Sequence, residues 1–208
     1  TVLGCSGSYP GQDCPCSGYL IQDGTSNVLI DLGPGCLGSL QRHIKLSEVT
    51  AVVLSHSHAD HWSDLAGLHV ASRYRYEREG LPVWGTAETR AIASLMPGNL
   101  EPTFEWNVTG DGDDFAIGSL RFRLECTDHY VETHAMRIES TNGGSMVYSA
   151  DTGPEWSIER LGRGVDLALV EATYGTDAEA DGMKHLSARA AGEMSRAAEA
   201  KRCVLTHF

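Results

Sequence analysis

Seven residues constrain this chain more than any others: Ser55-His56-Ser57-His58-Ala59-Asp60-His61, directly behind the apolar run Ala51-Val52-Val53-Leu54. Three histidines and an aspartate within six residues are dense nitrogen and oxygen ligation for a borderline-soft divalent metal. The run before them reads as a buried strand, so the ligands leave a rigid strand end on a tight loop, where functional groups are commonly held. His56 and His58 can converge on one ion, while Asp60 and His61 turn toward a second close by. A polar surface loop would not alternate ligand types so regularly. The segment reads as half of a two-metal site.

Two ions need more ligands than one loop supplies, and the chain offers them behind other apolar runs. His129 follows the segment around Leu120-Arg121-Phe122-Arg123-Leu124, whose alternation suits a half-buried strand. Asp151 follows Met146-Val147-Tyr148-Ser149-Ala150, and His207 follows Val204-Leu205-Thr206. If these strands are parallel neighbours of the first, every ligand sits on one sheet edge. His129 would then complete the first ion with His56 and His58, and His207 the second with Asp60 and His61. Asp151, with two carboxylate oxygens, is the natural bridge.

With 208 residues, 41% of them hydrophobic, the chain suits one large domain, or at most two small ones, with a substantial core; a single domain over residues 1–208 is expected. No stretch approaches the roughly 20 apolar residues of a membrane span, and no basic-then-apolar secretion signal opens the chain. A cytoplasmic protein is expected. It begins at Thr1 and stops just after His207, so further residues are expected at both ends. Lys and Arg number 16 against 28 Asp and Glu, a formal charge of −12. That argues against extended nucleic-acid binding, which needs a basic face, but leaves room for a small anionic substrate at a metal pocket. Six cysteines include no Cys-x-x-Cys pair. Reduced thiols are the plain reading, and a small metal site near Cys5, Cys14 and Cys16 is the alternative.

Along the chain, strands are expected at Ser17–Ile21 and Asn27–Asp31, joined by an Asp23-Gly24 hairpin turn. A short helix is expected over Cys36–His43. Leu65, Leu68 and Val70 suggest a helical apolar face running to about Glu79. Pro82-Val83-Trp84 reads as a strand and Ala87–Met96 as a helix stopped by Pro97-Gly98. Gly110-Asp111-Gly112-Asp113-Asp114 is an acidic turn that lacks the Glu and spacing of an EF-hand. Val165–Val170 and Arg202–Leu205 read as strands, and Ser187 as the cap of a last helix through Ala200. His43 and His69 read as structural. His134, opening a strand, is the leftover histidine best placed for a substrate contact, with Arg137 as a phosphate contact. Trp62, Tyr74 and Tyr76 read as packing or cleft rim.

The order His-x-His-x-Asp-His, then His129, then Asp151 within Ser149-Ala150-Asp151-Thr152-Gly153, then His207 resembles the metallo-β-lactamase superfamily over essentially the whole chain. Leu3-Gly4-Cys5-Ser6-Gly7-Ser8 and Asn27–Gly33 resemble its first hairpin. The resemblance implies an α/β fold, an αββα four-layer sandwich, holding two divalent metals, usually Zn²⁺, with Mn²⁺ and Fe²⁺ also suited to these ligands. It also implies that the chain continues past His207 with another helix, and it makes a homodimer a reasonable expectation.

Glu171-Ala172-Thr173 and His185-Leu186-Ser187 resemble the Glu-Ala-Thr and His-Ser-Thr elements of RNase Z and its relatives, with Leu186-Ser187 departing from the usual pair. There the Glu orients a His that serves the leaving group. The plain alternatives are a solvated strand-end acid and a loop histidine. Ser17–Leu20, Leu40–His43 and Arg163–Asp166 resemble actinobacterial RNase Z-like proteins, some of them cyclic-nucleotide phosphodiesterases. The expected function is therefore hydrolysis of a small phosphodiester by a metal-bridging hydroxide. Asp60 would bind metal and orient the nucleophile, and His185, held by Glu171, would protonate the leaving oxygen. RNase Z-type tRNA 3′ processing and thioester or lactone hydrolysis are the alternatives. The acidic balance and the lack of a Gly/Lys-rich insertion resembling a tRNA-clamping arm weigh against RNase Z.

Overall fold

Where β-branched and leucine-rich runs follow one another with turn residues between them, the chain forms sheet. The computed structural model describes residues 1–96, 99–175 and 182–208, which divide into two compact units, Thr1–Thr109 and Gly110–Phe208. The first unit holds a six-stranded sheet in chain order: β1 (Val2–Gly4), β2 (Gly18–Asp23), β3 (Ser26–Leu32), β4 (Ala51–Val53), β5 (Leu81–Gly85) and β6 (Phe104–Val108). β1 to β3 pair antiparallel, and β3 to β6 run parallel. The expected hairpin turn lies between β2 and β3, with Gly24 at φ 57°. That left-handed conformation suits glycine, which has no Cβ to clash.

The core of this unit gathers Leu20, Leu29, Leu32, Val52, Leu54, Leu81, Val83 and Phe104 from the strands. Burying each such side chain contributes about 1.5–3 kcal/mol. α1 (Cys36–Leu40) is shorter than expected, and residues 41–43 form a turn with His43 exposed. α2 (Ala59–Trp62) and α3 (Leu65–Val70) follow β4, and a wider helical turn over Ala71–Arg75 ends the run short of Glu79. The inward positions are Leu65, Leu68, His69 and Ser72, a 3.6-residue period. Val70 falls off it and is 54% exposed, so the expected apolar face is partly polar. α4 (Ala87–Ala93) is capped by Thr86, whose hydroxyl accepts from the Thr89 amide at 3.1 Å. The Pro97-Gly98 stop lies outside the described residues.

The second unit holds β7 (Asp114–Ile117), β8 (Leu120–Cys126), β9 (His134–Ser140), β10 (Ser145–Tyr148), β11 (Leu167–Glu171) and β12 (Cys203–Thr206), again in chain order across the sheet. β7 to β10 pair antiparallel, and β10 to β12 run parallel. β8 alternates as its sequence predicts, with Leu120, Phe122 and Leu124 buried and Arg121 and Arg123 exposed. α5 (Ala188–Ala197) is capped by Ser187, as expected, and buries Ala191 and Ser195. The small side chains suit close packing near Val170, Leu186 and Trp156, which share its cluster. β1, β6 and β7 are strands that the sequence pattern does not announce. No helix among the described residues is long and apolar enough to cross a membrane.

Two antiparallel steps separate β8 from β10, so β8, β10, β11 and β12 point the same way. His129, Asp151, Glu171 and His207 therefore all lie at the C-terminal edge of one sheet. β4, which leads to the His56–His61 loop, is not among these neighbours. It pairs with β3 and β5 in the first unit's sheet, so the single-edge arrangement expected from the sequence is replaced by one set of donors per sheet.

Candidate metal centre

In the first unit all the donors hang on the segment from Ser55 to Trp62. The Trp62 indole N–H donates to the Ser57 carbonyl at 2.8 Å, folding the loop back onto α2. A Cβ on Gly33 would stand 1.8 Å from the Asp60 carbonyl oxygen, so glycine is required where the chain behind β3 passes the start of α2.

The buried organiser is Asp31, at the end of β3 with φ 55°. Its carboxylate accepts from the Ser55 amide (2.7 Å) and the Ser55 hydroxyl (2.8 Å), and faces His61 Nδ1 at 2.7 Å. Because the Ser55 proton points to Asp31, Ser55 Oγ accepts from His56 Nδ1, 2.9 Å away. Both rings are thereby held in the tautomer that presents Nε2, the arrangement in which an outer carboxylate or hydroxyl fixes a metal-ligating imidazole. His56 Nε2 lies 3.1 Å from His58 Nδ1, and His61 Nε2 lies 3.5 Å from Asp60 Oδ2. The Ser8 amide donates to that same Asp60 oxygen at 2.8 Å.

The second unit repeats the logic with donors from several strand ends. His129 Nδ1 faces the Lys184 carbonyl at 3.1 Å, which leaves Nε2 directed at Asp151 Oδ2, 3.8 Å away. Asp151 Oδ2 is also 3.3 Å from His207 Nε2. The Thr173 hydroxyl donates to Glu171 Oε2 (2.9 Å) and so accepts from His207 Nδ1, also at 2.9 Å. Glu171 is fully buried. Its Oε1 accepts from the Thr152 amide (2.9 Å) and faces His185 Nδ1 at 2.8 Å, while Oε2 takes the amides of Thr173 and Leu186, both at 3.1 Å. Asp151, His185 and His207 each bring a ligand-capable atom within 4.8 Å of the others. Ala150 and His207 both adopt positive φ, 51° and 58°, as Asp31 does. Strain of this kind, worth about 1–3 kcal/mol per residue, tends to gather at functional sites.

These donors fit a divalent metal. Ligands bound about 2.0–2.1 Å from one tetrahedral ion stand about 3.3 Å apart, close to the His56–His58, Asp60–His61 and Asp151–His207 separations just given. Each unit thus holds its share of the expected set: His56, His58, Asp60 and His61 in the first, and His129, Asp151, His207, Glu171 and His185 in the second.

The sequence reading missed Asp31, Ser55 and Thr173 as organisers. The available signal was an acid closing the apolar strand Val28-Leu29-Ile30. His69 is buried, with Nε2 3.0 Å from the Asn99 carbonyl and its ring edge-on to Phe104, the structural part expected of it. His134 is fully buried beside Glu132, and Arg137 is engaged by Glu139 and the Leu161 carbonyl; neither joins the group around His185. Tyr74 and Tyr76 are exposed, whereas Trp62 is buried. Cys5 and Cys14 face each other at 3.7 Å, and burial pushes the Cys5 and Cys16 thiols up to about 11. Among the described residues no cluster of three metal donors forms there.

The β-lactamase superfamily domain matches residues 26–208. An uncharacterised protein of Mycobacterium leprae, ML1173, is 37% identical over 221 residues, covering all of this chain and 76% of its own length. The probable metallo-hydrolase YhfI of Bacillus subtilis is 30% identical, with all of this chain and 86% of its own covered. Its crystal structure superposes with a TM-score of 0.89 at 28% identity, over all of this chain and 84% of that one. A ribonuclease Z of Kineococcus radiotolerans is 29% identical across all of this chain and 82% of its own. Fold and site together define an α/β metal-dependent hydrolase. The chain belongs to the metallo-β-lactamase superfamily, in its RNase Z-like branch.

Proposed function

We propose that the protein is a cytoplasmic phosphodiesterase using two divalent metals, Zn²⁺ or Mn²⁺, on a small phosphodiester such as a cyclic nucleotide. The family resemblance assigns His56, His58 and His129 to one ion, Asp60, His61 and His207 to the other, and Asp151 to both. Such ions would neutralise charge on a phosphoryl group and lower the pKa of bound water toward about 7. Asp60, fixed by the Ser8 amide, is the carboxylate placed to take up the proton of attacking water.

The observation that carries the reading is the Glu171–His185 pair. With Nδ1 directed at a buried carboxylate 2.8 Å away, the His185 ring is oriented so that, when doubly protonated, it hands its Nε2 proton to a departing alkoxide. A ribose oxygen is a poor leaving group and needs that proton; a thiolate does not, which favours a diester over a thioester. The formal charge of −12 favours a small substrate over a long polyanion. Tyr130 and Tyr174 flank His185 with ring centroids at 6.5 and 6.3 Å, apolar faces suited to a base or ribose. Six free thiols suit a reducing compartment.

The test is a paired assay of zinc- and manganese-loaded protein on 3′,5′-cyclic AMP, a tRNA precursor and a thioester. Turnover of the cyclic diester is expected. Precursor cleavage without it would move the assignment to RNase Z-type tRNA 3′ processing, and thioester turnover alone would overturn the role given to His185.

A further inference from the structure

The loop that carries His129 starts and ends on a cross-strand pair with no part in the diester chemistry. Cys126 closes β8, His134 opens β9, and the two stand opposite each other in register. The Thr127 amide donates to the Thr133 carbonyl at 2.9 Å, which makes 127 and 133 the hydrogen-bonded rung and 126 and 134 the other kind. On that kind of rung the two side chains share a face and approach more closely. Glu132 reaches the same place, with Oε1 3.3 Å from His134 Nε2. Cys126, Glu132 and His134 each offer a ligand-capable atom within 4.8 Å of the others. Asp111 adds a carboxylate: its Oδ1 accepts from the Cys126 amide at 2.7 Å, and the group also faces the Cys126 thiol.

We propose that Cys126, Glu132 and His134, with the Asp111 carboxylate beside the thiol, form a second, structural site for one borderline-soft divalent cation, with zinc the best match. One sulfur, one imidazole nitrogen and carboxylate oxygens are zinc donors, whereas calcium and magnesium take oxygen sets. Charge favours the same ion. Asp111, Asp113, Glu125 and Glu132 are the acids that act on this cysteine and histidine. Burial and the nearby Asp111 and Glu132 push the thiol up to about 11, and burial pushes the imidazole down. The thiol is therefore protonated without metal, so binding has to displace its proton, and the surrounding carboxylates favour a dication that does so. On binding, the thiol releases its proton to solvent and the sulfur lone pair forms the bond to the ion.

Such an ion would staple both ends of the 127–133 loop. Asp128 on that loop pairs with Lys184, and His129 with the Lys184 carbonyl, so the staple lies beneath a donor of the catalytic set without sharing any ligand with it.

Cobalt(II) on the full, chelator-stripped chain is the probe. The catalytic donors are all nitrogen and oxygen, so a sulfur-to-cobalt charge-transfer band reports only a thiolate site. Wild-type protein is expected to show that band and to bind one equivalent beyond the catalytic ions. Cys126→Ser should lose both the band and that equivalent, and Cys5→Ser should lose neither. Glu132→Gln, at a side chain 44% exposed that folding should tolerate, is expected to weaken this equivalent by about 10–100-fold. Absence of the band in the wild type, its survival in Cys126→Ser, or unchanged affinity in Glu132→Gln would overturn the proposal, leaving a buried histidine paired with an exposed glutamate beside a thiol.

Discussion

The two units reach the same chemistry by opposite routes. In the first, four donors follow one another on a single loop behind β4, and one buried carboxylate, Asp31, orients His61 directly and His56 through Ser55. In the second, the donors come from the ends of β8, β10 and β12 and from the turn before α5. There Glu171 plays the matching part, orienting His185 directly and His207 through Thr173. A ligand motif can thus be contiguous or dispersed. What both arrangements share is a carboxylate, closed off from water at a strand end, that decides which ring nitrogen faces outward.

If that parallel is sound, removing a shared donor should cost more than removing an organiser. Asp151→Ala is expected to lose bound metal outright, with hydrolysis falling to background. Metal analysis after gel filtration checks this, and retention of both ions would overturn the proposed assignment of Asp151 to both. A smaller effect is expected at the organisers. Asp31→Asn and Thr173→Val should each weaken metal affinity or activity by about 10–100-fold, readable by competition with a fluorescent chelator. A loss in only one of the two would break the symmetry between the units. The smallest effect concerns the scaffold alone. Thr86→Ala and Ser187→Ala each remove a hydroxyl cap from the start of a helix, one per unit, and should lower stability by about 1 kcal/mol in urea titrations while metal content stays constant.

The same contrast explains what was legible in the sequence. His56, His58, Asp60 and His61 stand out because local ligands on a local loop leave a local signature. His129, Asp151 and His207 could be picked out only as chemistry-bearing residues behind apolar runs. Placing them on one edge depended on β8, β10, β11 and β12 sharing a direction, which turn signals do not encode. β4's membership of the other sheet was equally invisible, because the partner of a strand is a long-range property. Asp31 escaped notice because an acid after an apolar strand looks like the start of a turn. Val70 misled because an apolar residue next to a helical stripe says nothing about which turn it faces, and His69 and Ser72 held the inward positions instead. β1 is short, and β7 is largely exposed, so neither carried enough apolar pattern to be seen.

The proposed role of His185, held by Glu171, is to deliver a proton to a poor leaving group. The decisive comparison sets wild type against His185→Ala on 3′,5′-cyclic AMP and on bis(p-nitrophenyl) phosphate, whose nitrophenolate departs without a proton. The predicted result is unchanged metal content and a fall of about 10²–10⁴-fold on the cyclic nucleotide, with a far smaller fall on the nitrophenyl diester. An equal fall on both substrates, or loss of metal from the variant, would contradict it.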